Sequence, residues 1–159
     1  MRDRLKRAAA TAAIELVEEG MLLGLGTGST ADHALELLGE RVAGGLTITG
    51  VPTSERTAMR ARGLGIPLRA FKSRLNIDLA IDGADEVSPQ LDLIKGLGGA
   101  LLREKQVESC AEQLVIIIDD SKLVERLGCG LLPVEVATVD TDATLAQLRA
   151  LGCKAELRR

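Results

Sequence analysis

Three stretches of this chain bring residues that do chemistry close together. They are Gly24-Leu25-Gly26-Thr27-Gly28-Ser29-Thr30, Asp82-Gly83-Ala84-Asp85-Glu86, and Lys95-Gly96-Leu97-Gly98-Gly99 running into Ala100-Leu101-Leu102-Arg103-Glu104-Lys105. The first is a glycine loop between an apolar run and a helical pattern. Its free N–H groups and the positive end of the following helix suit a phosphate, and Thr27, Ser29 and Thr30 add hydroxyl donors. A dinucleotide loop needs Gly where Ser29 stands and an acid after the second strand, where this chain has Pro52-Thr53. A P-loop needs Lys before the Ser/Thr, and none is present. The remaining readings are a nest for a small anion and a tight turn capped by Ser29 or Thr30.

The second stretch places its carboxylates at the end of an apolar run, Ile77–Ile81. Asp82 continues that run, which holds it at a cleft edge. The competing readings are an acidic turn that caps the next segment and a divalent-metal site. Metal is disfavoured because His33, the only histidine, lies on a separate helix. In the third stretch, at about 100° per residue, Glu104 falls roughly 40° from Ala100, within the stripe formed with Val107 and Ala111. A carboxylate there is paired, desolvated with a raised pKa, or snorkels at the stripe's edge. Lys95 can reach it from the loop, whereas Arg103 and Lys105 point elsewhere. A raised Glu beside a Lys and a glycine nest is the outline of a proton-transfer site.

Strands alternating with helices position these groups. The pattern predicts a helix over Asp3–Glu19 closed by Gly20, a strand over Met21–Leu25, a helix over Ala31–Val42 and a strand over Leu46–Val51. A helix over Thr53–Gly63 capped by Thr53 or Ser54 and strands over Ile66–Phe71 and Ile77–Ile81 follow. Next come a short strand in Leu91–Ile94, a helix over Gly99–Glu112 and a strand over Leu114–Ile118. Beyond a pause at Gly128–Leu132, strand Val134–Thr138, helix Asp140–Leu151 and a strand-like Lys154–Leu157 are expected. The fold class is therefore α/β: a Rossmann-like parallel sheet with helices on both faces over residues 1–130, then an incomplete small α+β unit over 131–159.

Composition narrows the function further. The 159 residues carry 20 Lys+Arg against 23 Asp+Glu, a net charge of −3, so no broad positive field awaits a nucleic-acid backbone. Aromatics are 1%, with Phe71 alone, which leaves no rings for base stacking. Cys110, Cys129 and Cys153 form neither a disulfide framework nor a zinc pattern. With no leader-like or membrane-spanning apolar run, the expectation is a cytoplasmic protein without nucleic-acid or membrane partners.

Six motifs also occur together in order. They are Gly-Thr-Gly-Ser-Thr at 26–30, Asp-Gly-Ala-Asp-Glu at 82–86, Ile-Lys-Gly at 94–96, Gly-Ala-Leu-Leu-Arg-Glu-Lys at 99–105, Asp-x-Ser-Lys at 119–122 and Leu-Pro-Val-Glu-Val at 132–136. On these the chain resembles the A-type ribose-5-phosphate isomerases. The resemblance implies interconversion of D-ribose 5-phosphate and D-ribulose 5-phosphate through an enediol, with neither cofactor nor metal, by a homodimer. It implies Glu104 as the base. Asp82 and Asp85 would manage hydroxyl protons, and Lys95 would stabilise the enediolate. Substrate contacts would come from Thr27, Gly28, Ser29 and Thr30, from Gly83 and Ala84, from Gly96, Leu97 and Gly98, and from Lys122, with Lys6 at the phosphate. A sugar-phosphate-sensing domain without catalysis is the alternative on the same fold. Leu97 departs from the family's glycine run, and a positive φ there would cost about 1–2 kcal/mol. Family chains also continue past the equivalent of Arg159, so a C-terminal part that completes the small domain is expected to be missing.

Overall fold

The computed structural model describes residues 1–73, 75–136 and 138–158. In chain order the elements are α1 (Arg2–Ile14), β1 (Leu22–Leu25), α2 (Ser29–Ala43), β2 (Thr49–Pro52), α3 (Glu55–Gly63), β3 (Ile77–Asp82), β4 (Glu86–Val87), β5 (Leu93–Ile94), α4 (Leu101–Glu108), β6 (Ala111–Ile116) and α5 (Thr141–Ala150). A short 3-10 turn covers Asp120–Lys122.

Apolar β-branched and leucine-rich runs joined through helices favour parallel pairing, because the helical crossover returns the chain to the same end of the sheet. The main sheet is accordingly parallel, in the order β2-β1-β3-β6. The β1 strand pairs with β2 on one side and β3 on the other, so the chain reverses its direction of sheet growth between β1 and β3. That switch point opens a crevice at the carboxyl ends of the two strands, where an α/β sheet receives ligands. Glycines, Asp82 and the Lys95 loop all converge there. A separate antiparallel ribbon, β4 with β5, carries Lys95 directly after β5.

The larger core joins α1 and α2 to one face of the sheet through Ala10, Ala13, Ile14, Leu23, Leu25, Leu35, Leu38, Leu79 and Ile81. A smaller cluster, Val51, Leu75, Ile77 and Val107, includes the α4 contact. Helices thus cover the sheet as the alternation predicted.

Several elements differ from the sequence-based expectation for identifiable reasons. The first helix ends at Ile14, and the chain continues in tight turns, with Leu16 N–H donating to Ala13 O and Val17 N–H to Ile14 O. Those turns still bury Val17 while leaving Leu16 out, so the apolar spacing persists without the α-helix. Ile66–Phe71 makes only one parallel bridge, Gly50 to Leu68, because Pro67 has no N–H to extend a ladder. Helix α4 is shorter than Gly99–Glu112, and β6 begins earlier than Leu114–Ile118. That strand is the sheet's outer edge, and Leu114 is 41% exposed. Neither the described part of Val134–Thr138 nor Lys154–Leu157 forms a strand, since neither finds a partner strand; Ala137 lies outside the described residues. The helix between them does form, with Asp140 accepting from Ala143 N–H, yet it buries no residue.

Protection from exchange follows burial and ladder position. Hydrogen-exchange mass spectrometry should find amides of Leu79–Ile81 exchanging at least ~100-fold more slowly than those of α5. Equal protection would contradict the weak attachment of α5.

Candidate active site

The site is built from the ends of the two central strands. Gly26 N–H donates to Ile81 O at 2.9 Å, which holds the glycine loop against β3. Asp82 then turns its carboxylate across the gap. Oδ1 accepts from Thr27 N–H at 3.0 Å and from Gly83 N–H at 2.7 Å. A Cβ at position 26 would stand 2.3 Å from Asp82 Oδ1 and 2.5 Å from Ile81 O, so only glycine permits this approach. Asp82 is 1% exposed.

Lys95 reaches the same place from the loop after β5. Its ammonium lies 3.2 Å from Asp82 Oδ2, 3.5 Å from Glu104 Oε2 and 3.2 Å from Glu108 Oε1, and it donates to Gly83 O. Burial works against the Lys95 charge, but Asp82, Glu108 and Glu104 outweigh it and raise its pKa. Burial also raises the Glu104 pKa, Asp82 adds to the rise, and Lys95 moderates it. A buried carboxylate held basic in this way is suited to taking a proton from carbon. One oxygen from each of Asp82, Glu104 and Glu108 lies within 4.8 Å of the others, a spacing compatible with a divalent ion. The cation they surround is the Lys95 ammonium, which stands beside all three oxygens.

Glu108 was not singled out in the sequence. Its place one turn after Glu104 on the same helix face is the only signal the sequence carries for it.

The expected site residues divide into groups. Asp82, Gly83, Lys95 and Glu104 meet directly. Asp85 stands next to them, with its Oδ2 accepting from Leu97 N–H at 2.9 Å, and Ala84 links it to Gly83. Leu97 is not a strained residue: positive φ falls on Gly96 (102°) and Gly99 (79°) and not on Leu97 or Gly98. The substitution in the glycine run therefore leaves Lys95 in place. Glu86 departs from its neighbours, accepting from the N–H groups of Gly128, Cys129 and Gly130.

A second group gathers at the start of α2. Gly28 is its N-cap, and neither Ser29 nor Thr30 caps it by side chain, so the end of the helix is open. Lys6 on α1 donates to Ser29 Oγ at 2.8 Å. Thr27 differs from expectation. Its hydroxyl is turned inward, within 2.9 Å of Thr53, Ser54 and Thr57 hydroxyls, so it braces the loop instead of offering a free donor. Asp119 lies 4.0 Å from Lys6. The Ser121 hydroxyl holds the Asp119 carboxyl below its ordinary range, and Lys6 and Lys122 add to that. His33 lies apart from both groups, 3.0 Å from Asp3. A concavity of about 470 Å³ between the starts of α3 and α4 is lined in part by Ser54, Ala100 and Arg103.

The arrangement combines a buried base, a fixed ammonium and an open helix terminus with a lysine. It can bind a small anion at one end and move a proton at the other. Residues 49–159 match the family described as ribose 5-phosphate isomerase A (phosphoriboisomerase A). The chain is 56% identical to ribose-5-phosphate isomerase A of Gloeobacter violaceus, over 98% of this chain and 69% of that protein. A solved D-ribose-5-phosphate isomerase in complex with phospho-erythronic acid is 40% identical, with a TM-score of 0.91 over 99% of this chain and 70% of that one. The structure of the Neisseria gonorrhoeae enzyme ribose 5-phosphate isomerase A is 41% identical, with a TM-score of 0.92 over the same shares of the two chains, 99% and 70%.

Replacing Gly26 by Ala forces Asp82 or the β3 end to move. Urea unfolding of Gly26→Ala should show a loss of about 1–3 kcal/mol. An unchanged midpoint would contradict the close approach of this loop to Asp82.

Proposed function

The chain belongs to the ribose 5-phosphate isomerase A family, which interconverts D-ribose 5-phosphate and D-ribulose 5-phosphate, and we propose that Glu104 is the base of that reaction in this chain. The supporting observation is the buried Glu104 carboxylate 3.5 Å from the Lys95 ammonium, beside Asp82 at the switch point of the sheet. Glu104 takes the proton from C2 of the open-chain aldose, and the electron pair moves toward O1. The Lys95 ammonium balances the charge of the resulting enediolate in a site from which water is largely excluded. Glu104 then returns its proton to C1 while a hydroxyl proton leaves O2 and one is supplied to O1, giving the ketose. Asp82 and Asp85 are the groups proposed for those oxygen-bound protons.

The phosphate is assigned to Lys6, to Gly28, Ser29 and Thr30 at the open start of α2, and to Lys122. A cation and free N–H groups there match a phosphate dianion. Contacts along the sugar are assigned to Gly83, Ala84, Gly96, Leu97 and Gly98. Thr27 contributes through its braced backbone. A relative's complex with phospho-erythronic acid supports a phosphorylated four- or five-carbon chain as the ligand class. Residues 1–130 hold every one of these groups, and we read 131–159 as belonging to a separate small unit. Among the described residues no helix is long and apolar enough to cross a membrane. We assign the protein to the cytoplasm on its free cysteines. A homo-oligomer is proposed on the exposed Leu131, Leu132, Val139 and Leu151. The sensing alternative is not favoured, because the acids it could dispense with are present and the relatives are named as isomerases.

Two measurements test these assignments. Glu104→Gln should lower kcat by roughly 10²–10⁴ while ribose 5-phosphate affinity stays within about tenfold; normal turnover would remove Glu104 as the base. Lys6→Met should weaken ribose 5-phosphate by at least about tenfold with little change for unphosphorylated ribose, as competition against turnover reports. Equal losses for both sugars would remove Lys6 from the phosphate.

A further inference from the structure

Three carboxylates around one ammonium leave an unmatched charge in a buried place. Asp82 Oδ2 and Glu108 Oε1 each lie 3.2 Å from Lys95 Nζ, yet both are buried and neither receives a hydrogen bond. Lys95 directs a hydrogen bond to Gly83 O instead. Two buried acceptors held close to each other without a donor are strongly disfavoured. A single proton on one of them satisfies both.

The backbone decides which group holds that proton. Asp82 Oδ1 is already committed to two backbone N–H donors. Glu108 accepts no backbone N–H among the described hydrogen bonds, and it projects from the last turn of α4, where the helix dipole disfavours negative charge. The charged groups facing it are Lys95 from the β5–α4 loop, Asp82 from β3 and Glu104 from its own helix. The β6 strand also packs on α4, and its one charged residue, Glu112, is exposed.

We propose that Glu108 is a positioning residue that keeps a proton and shares it with Asp82 Oδ2, leaving the Lys95 charge to Glu104 and the substrate. This rests on the isomerase reading for its effect on turnover, but the protonation itself does not. Burial first, and then the Asp82 carboxylate, push the Glu108 pKa up to about 7. Below that pH Glu108 adds no negative charge beside Lys95; above it that charge appears and draws Lys95 away from its task.

The sign of the linked stability follows. A carboxyl raised from 4.5 to about 7 contributes stability at low pH that is lost as pH rises through 7. Glu108→Gln keeps a donor toward Asp82 and cannot ionise, so its Tm relative to the parent should rise between pH 5 and pH 8.

The test combines infrared and turnover readouts on the parent chain and two variants. Infrared difference spectra should show a protonated carboxyl band that titrates near pH 7 in the parent and is lost in Glu108→Gln. Absence of that band, or its titration below pH 5, overturns the proposal whether or not the protein turns over substrate. In turnover, Glu108→Ala should lower kcat at pH 6 at least tenfold, and Glu108→Gln should restore most of it while removing the parent's decline above pH 7. Identical pH profiles for parent and Glu108→Gln, or equal rates for the Gln and Ala variants, also overturn it. A chain that shows the band and no isomerisation contradicts the catalytic reading and leaves the shared proton standing.

Discussion

An ammonium buried among carboxylates is the constraint around which the site is organised. Taking Lys95 out of water costs several kcal/mol unless opposite charge and hydrogen bonds replace the solvent. Here Asp82, Glu104, Glu108 and the Gly83 carbonyl do so together. Each arrives from a different part of the chain: the end of β3, the first and last turns of α4, and the turn after β3. None of these groups could be buried alone at neutral pH as a charged species. The cluster therefore fixes the relative positions of β3, α4 and the loop after β5.

The topology makes that convergence possible. Because β1 and β3 are neighbours with their crossovers running in opposite directions, their carboxyl ends lie open to a ligand. Gly26 lets the β1 loop come close enough for Thr27 N–H to fix Asp82. Behind it, the hydroxyls of Thr27, Thr53, Ser54 and Thr57 tie the ends of β1 and β2 to the start of α3. On the opposite side of the loop, Lys6 and the open start of α2 provide positive potential. An acidic chain thus gathers Lys6 and Lys122 near Asp119 and the start of α2.

Much of this was legible in the sequence where local chemistry and periodicity agreed. Asp82 closing an apolar run, Glu104 within an apolar stripe and Lys95 in a glycine loop each announced a group held against the core. The ordered motifs then identified the family. What was not legible depended on long-range partners. Ile66–Phe71 and Val134–Thr138 have strand-like composition, but Pro67 interrupts one and the described part of the other meets no open ladder. The sequence does not show that the Thr27 hydroxyl is enclosed, because the hydroxyls around it come from another crossover. Glu108 has no distinguishing signal in the sequence, because a polar residue beside an apolar stripe looks like any solvated helix position until Lys95 and Asp82 are brought to it.

The most direct test of the central claim removes the ammonium. Lys95→Met keeps the stem and deletes the charge, and its kcat for ribose 5-phosphate isomerisation should fall by roughly 10²–10³ with the far-ultraviolet circular dichroism of the parent retained. A folded Lys95→Met that isomerises ribose 5-phosphate at the parent rate would contradict the account.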